Sequence, residues 1–232
     1  MSKLPAALAL AAVSAAVAAP AASAGDDLGP YERFEFSYTS KRPGTATGFR
    51  YRVKLKQSGA DQPPVVRELR LVFARGTKID TGAVVACAAS QDELTQQGAA
   101  ACPEKSRVAR GEADVYIGAA TPLTLTAMVF NTDEGIVALL VDSNGNVIRA
   151  LSGKLTGGRV LVVPIPKVDL GGGKEAALVR FELNIAKAGT SRRPWARTPR
   201  TCTKKGWGVT YAPLFDPIGR VKLTDVTRCR AR

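Results

Sequence analysis

The apolar positions of this chain recur with period two. In "FRYRVKLK", Phe49, Tyr51, Val53 and Leu55 fall on one side and Arg50, Arg52, Lys54 and Lys56 on the other, the pattern of a strand with one wet face. "RFEFSYTS" sets Phe34, Phe36 and Tyr38 against Arg33, Glu35 and Ser37. "VVRELRLVFARGT" puts Leu69, Leu71 and Phe73 on a shared face between the Pro63-Pro64 break and Gly76. Further runs follow, among them "PLTLTAMVFNT", "GIVALLVDS" and "RVLVVPIP", each bounded by Gly, Pro or Asn. "EAALVRFELNIAKA" contains helix formers. Its Leu178, Arg180 and Glu182 nevertheless alternate with Val179, Phe181, Leu183 and Ile185, which favours a strand. Short strands at spacings near ten residues predict an all-β fold, an antiparallel β-sandwich of immunoglobulin-like or jelly-roll-like form.

Three stretches depart from the alternation. In "CAASQDELTQQGAAACP", Ser90 and Glu93 make a capping box and Gly98 supplies a stop, so one short helix is expected inside this loop. In "LLVDSNGNVIRAL", Asp142, Asn144 and Asn146 stand at positions one, three and five of a calcium loop. Val147 and Gly153 occupy the places of the required Gly and Glu, however, and Asn144-Gly145 between two apolar runs is a hairpin signal. From Thr190 a Pro/Arg/Thr-rich approach leads to a strand pair in which Trp207, Val209 and Tyr211 are answered by Val221 and Leu223 across a turn at "FDPIG".

The opening residues have a secretory layout: Lys3, an apolar run from Leu4 to Ala19, then Ala22-Ser23-Ala24. The expectation is a signal peptide over 1–24, cleavage before Gly25, and a single domain over 25–232 whose last part, 190–232, is a basic disulfide-closed hairpin. The protein is then secreted, extracellular or cell-surface, with no transmembrane segment after cleavage. In an oxidising compartment the four cysteines favour two disulfides. Of three pairings the local one, Cys87 with Cys102 and Cys202 with Cys229, is expected. A redox motif wants cysteines two residues apart and a structural zinc site wants close Cys or His pairs; the sequence has neither.

The runs "LRLVFARGTKIDTGAVVAC", "ACPEKSRVARGEA" and "PRTC…GWGVTY…C" resemble a group of uncharacterised secreted β-rich proteins from high-GC actinobacteria. The resemblance lies in a Gly-Thr-x-x-Asp turn, a Cys-Pro-x-x-Ser-x-x-x-Gly stretch and a two-Cys C-terminal segment. It is carried by Gly76, Thr77, Asp80, Cys87, Cys102, Pro103, Ser106, Gly111, Cys202, Trp207 and Cys229. Ala109 departs from it where a glycine is expected. The resemblance implies a secreted β fold with no established activity.

With no histidine in the chain, His-based triads and His-bearing zinc and copper sites are excluded. No S-x-x-K, Walker loop or dinucleotide fingerprint occurs, and no cofactor is expected. Net charge is +13, and the excess lies late: twelve cations from Lys187 onward face only Asp216 and Asp225. The functional expectation is a non-enzymatic, envelope-associated module that recognises an anionic cell-wall polymer or glycan, with no specific nucleic acid, through Arg200, Lys204, Lys205, Trp207, Arg220 and Lys222, with Trp195 interleaved. The blander reading is a solvated basic face shaped by codon bias. The alternative function is a carboxylate-dependent glycan hydrolase, for which Asp92-Glu93 and Asp133-Glu134 are the adjacent acids.

Overall fold

The computed structural model describes residues 30–56, 62–119 and 121–230, so the signal segment 1–24 and its cut before Gly25 lie outside the described residues. In chain order the strands are β1 (Tyr31–Tyr38), β2 (Phe49–Leu55), β3 (Val65–Val72) and β4 (Lys78–Ile79). After helix α1 (Gln91–Gln97) come β5 (Arg107–Tyr116), β6 (Leu123–Thr132), β7 (Gly135–Val141), β8 (Val147–Thr156), β9 (Val160–Pro164), β10 (Asp169–Gly171), β11 (Lys174–Glu175) and β12 (Ala177–Ile185). The chain ends with β13 (Ala196–Arg197), β14 (Trp207–Tyr211), β15 (Leu214–Asp216), β16 (Gly219–Arg220) and β17 (Leu223–Thr227).

The antiparallel all-β expectation holds, but the strands do not divide clearly into the two sheets of a sandwich. One sheet runs β1-β2-β12-β5-β6-β7-β8-β9-β3-β14-β17, and it curls until its ends meet. The meeting is made by side chains: Asp225 Oδ2 accepts from Phe36 N at 2.8 Å and Thr227 Oγ1 from Tyr38 N at 3.1 Å. Two donors of edge strand β1 that a ladder would otherwise satisfy are thereby occupied. The result is a nearly closed barrel.

Alternation decides which side chains enter it. Along β2, Phe49, Tyr51, Val53 and Leu55 are buried while Arg50, Arg52 and Lys54 face water. The interior fills unevenly. Near β1, β2 and β14 it is aromatic, with Tyr211 between Tyr31 at 5.6 Å, Phe34 at 5.2 Å and Tyr51 at 5.7 Å. Toward β6–β9 it is aliphatic and smaller, with Leu125, Ala127, Val129, Ala138 and Leu151.

β7 reads as an unbroken apolar run because both its faces are covered. Ile136, Ala138 and Leu140 meet the barrel core, whereas Val137, Leu139 and Val141 pack with Leu94 of α1 and Cys87 and Cys102. The helix has the expected capping box, with Ser90 and Glu93 bonding reciprocally and Gly98 at φ 61° as its stop. The Cys87–Cys102 disulfide pins this excursion against the outside of β6–β8, and Cys202–Cys229 ties the approach to β14 to the end of β17. The Asn144-Gly145 hairpin joins β7 to β8, with the Asp142 carboxylate accepting from Asn144 N and Asn146 N.

The C-terminal pair differs in detail from the expectation. Tyr211 is opposite Leu223 as anticipated, but Trp207 is opposite Thr227. The "FDPIG" turn belongs to a separate β15–β16 hairpin, and Val221 lies in the connection after it. Among the described residues no helix is long and apolar enough to cross a membrane.

Candidate functional site

Antiparallel order gives the barrel two ends. One carries the connection after β1, the excursion after β3, the β8–β9 turn and the long segment between β12 and β14; the other carries β10–β11, β15–β16 and the β7–β8 hairpin.

At the first end the segment 186–200 lies across the opening as a plug. Trp195, Ala196 and Thr198 are buried. The backbone is held on both sides: Asp80 N donates to Trp195 O at 2.8 Å, Thr47 N to Ala196 O at 3.0 Å and Gly44 N to Pro199 O at 2.9 Å. Asn131, fully buried on β6, anchors the plug from below. Its Oδ1 accepts from Trp195 Nε1 at 2.8 Å and its Nδ2 donates to Thr81 O at 2.8 Å. Burying the apolar residues of a Pro/Arg-rich segment drives its cations outward.

Those cations meet others from distant sequence. The connection 39–48 brings Lys41 and Arg42, and 73–80 brings Arg75 and Lys78. The plug and its continuation, 186–206, bring Lys187, Arg192, Arg193, Arg197, Arg200, Lys204 and Lys205; 228–230 bring Arg228 and Arg230. The segments touch directly: Arg230 N donates to Lys41 O at 2.9 Å, and Arg197 donates to Gly44 O and Arg192 O, each at 3.1 Å. Within these four segments thirteen cations accompany one acid, Asp80. Asp80 is engaged by Arg193 at 2.9 Å, and that hydrogen bond holds its carboxyl below the usual range. Two acids of the β6–β7 turn flank the pole, Asp133 and Glu134, with Glu134 facing Lys154 at 3.5 Å.

The residues expected from sequence to form one surface divide into three groups. Arg200, Lys204 and Lys205 are exposed at the pole. Trp207 is not a surface aromatic: it is buried, packed on Tyr38 at 5.4 Å, and its Nε1 donates to Thr201 O at 2.8 Å. Trp195 is buried as well. Arg220 and Lys222 lie toward the opposite end, because β14 starts at the pole while β17 ends there. Four strand steps of about 3.3 Å separate the two sets, roughly 13 Å, more than a Debye length of about 8 Å at physiological salt. Arg220 is also committed, to Glu68 Oε1 at 2.9 Å and to Ala212 O at 2.6 Å. Lys41, Arg42, Arg75 and Lys78 were missed by sequence reading, since only folding brings them beside the tail.

Many charges elsewhere are paired in place. On the outer face of β2, Arg52 meets Glu35 and Glu182 at 3.7 and 3.5 Å, and Lys54 meets Glu32 at 2.8 Å. Burial pushes Asp114 up, but its bonds to Arg180 and Thr124 more than offset this and leave the carboxyl below the usual range. The acids considered for glycan hydrolysis are spread apart in role: Glu93 is spent on the helix cap and Glu134 on a turn. A general acid for that chemistry needs a raised carboxyl. Each carboxyl among the described residues whose affinity for protons clearly shifts is instead lowered: Asp80, Glu93, Asp114, Asp142 and Asp216.

The residues that carry the family resemblance have structural tasks. Thr77 Oγ1 bonds the Tyr38 hydroxyl at 2.7 Å, Asp80 caps a short turn, and Ser106 Oγ donates to Pro103 O at 2.5 Å. Gly111 lies where a Cβ would overlap the Glu182 carbonyl of β12. Comparison with family models, curated proteins and solved structures finds no match.

Proposed function

We propose that this is a non-enzymatic protein of the cell exterior that binds an anionic polymer, a cell-wall polymer or acidic glycan, across the basic pole of its barrel. The observation that supports this most is the convergence of thirteen cations from four separate segments that together carry a single acid, Asp80. Cations at that density repel one another, and the carboxylates beside them, Asp80 and the flanking Asp133 and Glu134, are too few to balance them; a polyanion does relieve the repulsion. Arg52 and Lys54 of β2, by contrast, face acids on the adjacent strands. Two disulfides suit an oxidising exterior compartment, as do the signal layout and the resemblance to secreted proteins.

The test is charge reversal in two matched triple variants, read as affinity for heparin and for a glycerol-phosphate polymer. Arg200→Glu, Lys204→Glu and Lys205→Glu together should lower affinity at least tenfold. Arg50→Glu, Arg52→Glu and Lys54→Glu together should lower it no more than about threefold. Equal losses would mean that net charge alone matters, and the pole would not be a site.

A further inference from the structure

At the end of the barrel opposite the basic pole the small aliphatic side chains leave a cavity of about 370 Å³, within the range of small-molecule pockets. Its floor is Leu69, Ala138, Leu151 and Phe181, which also border an inner void of about 60 Å³ reaching Tyr51. Its mouth is formed by Ile117, Ile148, Val168 and Leu170, exposed by 43, 50, 39 and 37% respectively. These are four of the seven large apolar residues exposed among the described residues, so exposed apolar surface is concentrated where the cavity opens. The β10–β11 hairpin, turning through Gly171–Gly173, carries Val168 and Leu170 over the opening. Its root is held by Glu175, which pairs with Arg67 and Lys167.

One charged side chain lines this apolar space, Arg149. Among the described residues its guanidinium meets no carboxylate and donates only to Lys167 O, at 3.4 Å. Other arginines on strand faces, such as Arg52, Arg67 and Arg180, are ion-paired. An aliphatic sleeve with a single unpaired guanidinium beside it is complementary to a chain that is apolar along its length and anionic at one end. We infer that the cavity binds a single-chain amphiphile with an anionic head, its alkyl chain running inward to Phe181 and its carboxylate or phosphate held by Arg149. This site is independent of the basic pole, and neither requires the other.

The test uses purified protein and calorimetric titration with dodecanoate, dodecyl phosphate and dodecanol below their aggregation limits. One or both anions should bind at least tenfold tighter than the alcohol, and the tighter anion identifies the head. Arg149→Gln should lower anion affinity about tenfold, to that of dodecanol. Ala176→Trp, which puts an indole into the cavity from its rim, should abolish binding of all three with the melting temperature retained. Dodecanol binding as tightly as both anions, anion affinity unchanged in Arg149→Gln, or binding unchanged in Ala176→Trp would each overturn the inference, as would no binding by the wild type.

Discussion

Raising the pH should unfold this barrel abruptly, and the reason is its tyrosines. Burial pushes the Tyr31 and Tyr51 phenols far above their ordinary range, each raised further by nearby Tyr211, and pushes Tyr211 itself up to about 12. In the unfolded chain each would ionise near pH 10. A group whose folded affinity for protons exceeds its unfolded affinity stabilises the fold fully below the unfolded value, and that contribution is lost as pH rises past it. At about pH 11 each such phenol has lost between about 1 and 2 kcal/mol, so the three together remove about 4 kcal/mol, with a similar loss over the next pH unit. A total of about 8 kcal/mol by about pH 12 matches the lower half of the roughly 5–15 kcal/mol range of domain stabilities, and a barrel of that stability unfolds between about pH 11 and 12.

The assay follows tyrosinate absorbance and far-ultraviolet circular dichroism together through an alkaline titration. Loss of structure and the signal of these three phenols should coincide. Tyrosinate absorbance rising fully near pH 10 while the dichroism stays native would refute the reasoning, since it would mean that water reaches the phenols. Tyr31 provides a control. Its hydroxyl is buried without a partner of acceptable geometry, so Tyr31→Phe should leave neutral-pH stability unchanged or higher and recover between about 1 and 2 kcal/mol at about pH 11.

Asn131→Leu should destabilise by about 3 kcal/mol, because it strands the Trp195 indole N–H in the core and removes the bond to the half-buried Thr81 carbonyl; chemical denaturation showing a loss under about 1 kcal/mol would contradict the account of the plug. Cys102→Ala should cost about 3 kcal/mol by the same measurement while leaving polyanion affinity within about twofold, because the Cys87–Cys102 excursion packs on the outer face of β6–β8 and residues 87–102 contain no Lys or Arg.

Local features were legible and long-range ones were not. The β2 alternation, the Ser90–Glu93 capping box and the Asn144-Gly145 hairpin are set within a few residues by backbone chemistry, and each forms as read. The local cysteine pairing is also as expected. Barrel closure was not legible because it depends on Asp225 and Thr227 accepting from strand donors 189 positions earlier. Trp195 and Trp207 looked like surface aromatics because cations surround them in sequence. Trp195 is buried because Asn131 offers its indole a partner under the plug, and Trp207 because it packs on Tyr38 and donates to Thr201 O. The basic tail was visible in composition, but its division was not: antiparallel pairing sends Lys222 and Arg220 away from the pole and brings in Lys41, Arg42, Arg75 and Lys78 instead.

The most direct test of the central claim is the salt dependence of polyanion binding by the wild-type protein. A pole at which several cations act as one site releases counterions on binding, so log K against log salt should be linear with a slope of roughly −3 or steeper, on the scale of about 0.7–0.9 per contact known for nucleic acid polyanions. Binding to heparin or to the glycerol-phosphate polymer should be strong at low salt and fall steeply toward physiological salt. No binding to either polymer at low salt, or a slope near zero, would contradict the claim and leave the pole as a solvated basic surface.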